Sequence, residues 1–224
     1  RASAPREDDV FTLVSLLPHL SALPDGVLSL DGRDIHRWPL RTLRRRIAFV
    51  PQESFLFSMT VAENIGFGVD EPTREAVERA ATMAAMTDDI ARFPRGSETP
   101  VGERGVTLSG GQRQRMTIAR AAVLEPAIWV FDDCLSSVDA GTEQAIIRNL
   151  RAMTSKATAL FVTHRLLGFE GVDKVVVLDR GRVVEVGSHA ELMELGGWYA
   201  RLYRRQKLDQ ELGAKAPVGT EARA

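Results

Sequence analysis

Two short apolar runs, Ala127 to Phe131 and Ala159 to Thr163, constrain this chain more than any other stretch. Strands buried on both faces of a sheet read as continuous apolar runs, not as alternation. Helix-like sequence lies between the two runs, as a parallel crossover needs. The expected fold is therefore α/β, a parallel sheet core with an inserted helical lobe and a small antiparallel β part. Ile47 to Val50 reads as a further buried strand, stopped by Pro51. Val27 to Leu30 reads as a short strand between the turns Asp25-Gly26 and Asp31-Gly32. Lys174 to Leu178 and Val183 to Val186 flank Asp179-Arg180-Gly181-Arg182 and predict a hairpin.

Helical texture fills the rest. Phe11 to Leu20 predicts a short helix limited by Pro18, and Leu40 to Arg46 a surface helix rich in arginine. From Pro72 to Phe93 the composition shifts to Ala, Met, Glu and Arg at helical spacing, opening a lobe that runs to about Leu124. His189 to Arg205 predicts one helix. The expected division is a tail over 1–11, a core over 12–71 and 125–205, a helical lobe over 72–124, and a disordered tail over 206–224.

The 224 residues suffice for one large domain or two small lobes. A net charge of −1 gives no electrostatic case for nucleic acid. Cys134 is the only cysteine, which excludes an intrachain disulfide and a Cys-rich zinc site. No apolar run approaches the roughly 18–20 residues that cross a bilayer, and no secretory signal pattern opens the chain. The first residue is Arg, which suggests a fragment or processed product whose membrane part lies elsewhere.

Chemistry concentrates at Leu108-Ser109-Gly110-Gly111-Gln112. Two glycines free the backbone to approach a ligand. A helix is expected from about Gln112 to Leu124, with Met116, Ala119 and Val123 on one face. A turn that opens a helix presents backbone N–H groups and the positive dipole end, an anion site. A glycine turn before a core helix is the structural alternative. Ile128-Trp129-Val130-Phe131-Asp132 ends a buried strand with a carboxylate, where a parallel sheet binds ligands and where Asp can hold Mg²⁺ beside a phosphate.

Leu108 to Arg115, LSGGQRQR, resembles the signature motif of ABC-type ATPases, and the flanking motifs follow that family's order. The resemblance covers Thr12 to Tyr203. It implies an incomplete P-loop-NTPase-like core, a nucleotide-binding domain of the exporter type. Asp132 then resembles the Walker B residue that holds Mg²⁺. Asp133 stands where the family usually has the Glu that activates water. Val50-Pro51-Gln52-Glu53-Ser54 resembles the Q-loop, with Gln52 a metal and water ligand that senses the transmembrane partner. Ser136-Ser137-Val138-Asp139 resembles the D-loop, although Asp139 also suits a helix N-cap. His164 resembles the switch histidine that reaches the γ-phosphate. Thr99 to Gly105 resembles the exporter X-loop, or is a Pro/Gly-bounded surface loop. His19, His36 and His189 carry no such context and read as surface or capping residues.

The family's P-loop, G-x-x-x-x-G-K-[ST], should precede Thr12. The first glycine here is Gly26, the first lysine is Lys156, and no Gly-Lys pair occurs. Glu7, Asp8 and Asp9 stand at the expected place and would repel a triphosphate. A truncated or misjoined product and a genuine loss both fit, and either should leave a sheet edge exposed. The resemblance implies ATP and Mg²⁺ as cofactors, with Ser109, Gly110, Gly111, Gln112 and Asp139 serving ATP. It implies a transmembrane permease and a second nucleotide-binding domain, in a homo- or heterodimer, as partners. The implied location is the cytoplasmic face of the cell membrane. Two roles follow: an ATP-hydrolysing exporter domain whose own site is degenerate, or a non-hydrolysing domain that donates its signature to a partner's ATP. A truncated inactive remnant is a third. The chain alone is expected not to hydrolyse ATP.

Overall fold

The computed structural model describes residues 13–102, 106–134, 142, 146–151 and 157–215. Its first paired element is a minimal hairpin, β1 (Ser29–Leu30) and β2 (Arg33–Asp34). Asp31 and Gly32 both take positive φ, +49° and +74°, the mirror-image turn that matches strand twist. Helix α1 (Leu40–Arg46) follows and leads directly into β3 (Ile47–Val50).

β3 joins β4 (Ile128–Asp132) and β5 (Thr158–Val162) in a parallel sheet of order β3-β4-β5. Ile47 pairs with Ile128, and Ile128 with Thr158. The two apolar runs are thus neighbouring strands, as their composition requires, the first shifted as a whole one residue later and the second one residue earlier. One face carries Ile47, Phe49, Ile128, Val130 and Val162, packed with Val14, Ile35, Leu43 and Trp38. The other face stacks Trp129, Phe131 and Phe161, with ring centroids 5.5 and 4.8 Å apart. Burying each such side chain contributes about 1.5–3 kcal/mol.

Helices follow one another from Val61 to Ala122: α2 (Val61–Gly66), which precedes the lobe expected over 72–124, then α3 (Arg74–Met83), α4 (Thr87–Arg92), a 3₁₀ turn at Gly96–Glu98 and α5 (Gly110–Ala122). α5 lies against α2, α3 and β3. It begins at Gly110, before the expected Gln112, because Ser109 caps it and carries two poor helix formers into the first turn.

The described residues up to Val162 form one compact unit and those from Thr163 form a second. In the second, β6 (Val175–Asp179) and β7 (Arg182–Gly187) make the expected hairpin, turning at Arg180 and Gly181 with φ +49° and +70°. The single helix expected over His189 to Arg205 is two: α6 (His189–Leu195) and α7 (Trp198–Lys215). Gly196, at φ +65°, ends α6 in the left-handed conformation that favours glycine. The Glu185 carboxylate then accepts the N–H groups of Trp198 and Tyr199 and starts α7. A disordered tail from 206 is corrected accordingly: residues up to Lys215 are helical, with Arg205 and Asp209 paired at 3.9 Å across one turn. Val177, Leu192 and Tyr199 form this unit's core, and the half-buried His189 sits against it, with Nδ1 2.8 Å from the Tyr199 hydroxyl.

Candidate nucleotide site

Parallel strands in register finish together, and their carboxyl ends make one edge. Val50 pairs with Phe131, and Asp132 with Val162. Gln52 follows β3 after Pro51 and is exposed at that edge. Asp132 closes β4 and is only 7% exposed. Asp133 continues the ladder with its N–H, which donates to the Val162 carbonyl at 2.8 Å, while its φ of +39° turns the chain out of the sheet. The edge therefore gathers Gln52, Asp132 and Asp133. Cys134, behind them, is buried. Burial raises its thiol pKa, and the neighbouring Asp133 and Asp132 carboxylates add to the effect, so it stays protonated and unreactive.

Mg²⁺ keeps several waters and takes one or two carboxylates plus phosphate oxygens. A buried Asp132 and the Gln52 amide at one edge fit that donor set. Among the described residues no cluster of three or more His, Cys, Asp or Glu could instead hold a metal ion.

The signature turn is built around a capping box. Ser109 Oγ accepts the Gln112 N–H at 3.2 Å, and Gln112 Oε1 accepts the Ser109 N–H at 2.9 Å. Gln112 Nε2 also donates to Asp89 Oδ1 at 2.8 Å, and Asp89 Oδ2 pairs with Arg115 at 2.9 Å. The Gln112 side chain thus holds the turn. Gly110 and Gly111, both half-buried, stand at the N-terminal end of α5, where backbone N–H groups lack intrahelical acceptors.

Asp89 was invisible in the sequence, because its partners lie 23 or more residues away. Arg120 and Asn64 were also missed. Arg120 donates to the Asn64 carbonyl at 2.9 Å, to Asn64 Oδ1 at 2.8 Å and to the Phe55 carbonyl at 2.9 Å. Its guanidinium stacks 5.1 Å from the Phe57 ring, and burial lowers its pKa. Arg120 ties the signature helix to the segment after Gln52. Between them lies a cleft of about 280 Å³ lined by Phe49, Pro51, Phe55, Thr117 and Arg120. His164 belongs to the second unit, in the turn after β5. Asp139, expected in a D-loop, and Glu103 to Gly105, expected in an X-loop, lie outside the described residues.

The family model described as "ABC transporter" matches residues 12–136. The chain belongs to the ABC transporter family. It is 45% identical over 184 residues to a probable multidrug resistance ABC transporter ATP-binding/permease protein of Bacillus subtilis, covering 82% of this chain and 32% of that protein. It is 43% identical over 202 residues to an ATP-dependent lipid A-core flippase of Cupriavidus metallidurans, covering 89% of this chain and 34% of that one. The solved structure of a bacterial Atm1-family ABC exporter with ATP bound matches with a TM-score of 0.85 at 41% identity, over 91% of this chain and 36% of that chain. This chain is an ABC exporter nucleotide-binding domain, and it spans about a third of the length of these relatives. Such exporter relatives link this kind of domain to a membrane-embedded part. No helix among the described residues is long and apolar enough to cross a membrane.

Proposed function

We propose that this domain couples ATP to transport in an ABC-type exporter, and that its own ATP site is degenerate while its signature serves a second nucleotide-binding domain. The observation that carries this reading is the α5 N-terminus. Its cap is complete, and its two glycines stand where a phosphate of a partner's ATP is attracted by N–H groups and dipole. In support of a degenerate site, Asp133 stands one methylene short of Glu, and the acidic run Glu7, Asp8 and Asp9 shortly before Thr12 would repel a triphosphate. A catalytic group misplaced by about 1 Å costs on the order of 100-fold in rate.

In the assembled dimer Asp132 and Gln52 would hold Mg²⁺, which offsets phosphate charge when bound. Asp133 would orient the attacking water, and His164 would face the γ-phosphate. Ser109, Gly110, Gly111 and, through the turn it holds, Gln112 would serve the opposite ATP, with Asp139 beside them. The cleft beside Phe55 and Arg120 suits a segment of the transmembrane partner, which sets the location at the cytoplasmic face of the membrane.

Equilibrium binding of Mg-ATP, read by competition against a fluorescent ATP analogue, tests the reading. The chain alone should give no saturable binding. Adding a nucleotide-binding domain with a complete P-loop and Glu should give binding that Gly110→Asp weakens about tenfold or more, since 1.4 kcal/mol is tenfold. Saturable binding by the chain alone, with turnover abolished by Asp132→Asn, would replace this reading with that of a self-sufficient ATPase. No binding in either case would mark an inactive remnant.

A further inference from the structure

The turn after β5 leaves backbone groups that no strand satisfies, and every buried N–H and C=O needs a partner. Thr163 Oγ1 accepts the Arg165 N–H at 3.0 Å. The next two groups are met from far along the chain. Gln206 Oε1 accepts the Leu166 N–H at 2.8 Å, and Gln206 Nε2 donates to the His164 carbonyl at 2.6 Å. One side-chain amide therefore grips the backbone on both sides of His164. A second grip lies one helical turn away. The Tyr203 hydroxyl donates to Glu170 Oε1 at 3.0 Å, and the same oxygen accepts the Gly168 N–H at 3.2 Å.

Tyr199, Tyr203 and Gln206 fall at positions i, i+4 and i+7, one face of α7. Tyr199 anchors that face in the core, so the reach of Gln206 is fixed by packing. A primary amide accepts from an N–H through its oxygen and donates to a carbonyl through its separate nitrogen, so one side chain meets two backbone groups at once, and Gln has the length to do so from a helix. Glu could only accept, and Met could do neither.

We infer that Gln206 is a positioning residue for His164: through its amide, the C-terminal helix α7 sets the backbone that carries the histidine. This rests on the proposed role of His164 at the γ-phosphate. It also gives α7 a function that the motifs of the nucleotide site do not include, since any displacement of α7 would be transmitted to the His164 backbone.

The test uses the full chain with isotope-labelled histidine and backbone amides. The four imidazole signals are assigned by single His→Gln variants. Gln206→Met should speed exchange of the Leu166 amide about threefold to tenfold, the worth of one ordinary hydrogen bond, and should shift the His164 imidazole signal while those of His19 and His36 stay in place. Gln206→Glu should keep the Leu166 amide protected, because its acceptor survives, yet still shift the His164 signal. This split separates positioning from general loosening. Unchanged Leu166 exchange and an unmoved His164 signal in Gln206→Met would overturn the inference. So would exchange that rises equally throughout the second unit. If Gln206→Met does not fold, the Glu variant carries the test through the His164 signal. The role of His164 itself is read separately, from ATP turnover of the exporter assembled with His164→Ala. Unchanged turnover there removes the functional reading and leaves the clamp standing.

Discussion

At Asp133 the backbone enters the left-handed region, with φ +39°, between a strand residue and a buried cysteine. That region costs most L-residues about 1–2 kcal/mol, and Asp is among the few whose short polar side chain eases it. A longer Glu shares less of that relief. The residue that weakens the catalytic reading of this site is thus the one its backbone conformation favours. Asp133→Glu should lower stability by about 1 kcal/mol or less, and Asp133→Asn should be close to neutral. Urea denaturation of the three proteins measures both. A Glu variant as stable as the parent would show that the turn does not select Asp.

Three helices begin with the same device, and it accounts for what could be read locally. Thr60 with Glu63 opens α2, Ser109 with Gln112 opens α5, and Ser188 with Glu191 opens α6. Each pair sits three residues apart and is legible in sequence. The backbone N–H of Thr60 lowers the Glu63 pKa, and that of Ser188 lowers the Glu191 pKa, each with help from the same residue's hydroxyl. A carboxylate with a depressed folded pKa stabilises the fold above its ordinary value of 4.5, and the contribution is lost as pH falls through the folded value. Gln112 does not titrate. As pH drops below 4.5, amides at the starts of α2 and α6 should lose protection while those at the start of α5 keep theirs relative to the pH-corrected intrinsic rate. Equal loss at all three would refute the assignment. The strands, the hairpin turns and the signature turn were equally local, set by apolar runs and Gly pairs. What stayed hidden was long-range. Arg120 reaches a partner 65 residues away and Gln206 one 42 residues away, and no periodicity encodes either. The break at Gly196 was missed because the residues on both sides favour helix, and only the Glu185 carboxylate, from β7, shows where α7 starts.

At the scale of the whole molecule, the parallel sheet ends at two outer strands, β3 and β5, among the described residues. β5 is its outer strand on one side among the described residues, and Leu160 at its centre is 38% exposed. A parallel edge strand offers a row of N–H and C=O groups to any second strand, and proteins blunt such edges with charge, above all Lys. Thr158 to Val162 carries no charge. Nor does the molecule repel copies of itself, with a net charge of −1 and a pI near 6.5. The chain on its own should therefore self-associate near neutral pH, with an average mass that rises with concentration in sedimentation or light scattering. Leu160→Lys should suppress that rise, because its ammonium cannot be buried in a second sheet without a partner. The same introduction of lysine at an exposed apolar position on the hairpin, Val183→Lys, should not, because β7 Val183 lies outside the open sheet. If Val183→Lys alone restores a monomer, the association runs through the exposed valines of β6 and β7, and the edge of β5 is not the adhesive surface. If the parent chain stays monomeric at every concentration, the edge is already covered.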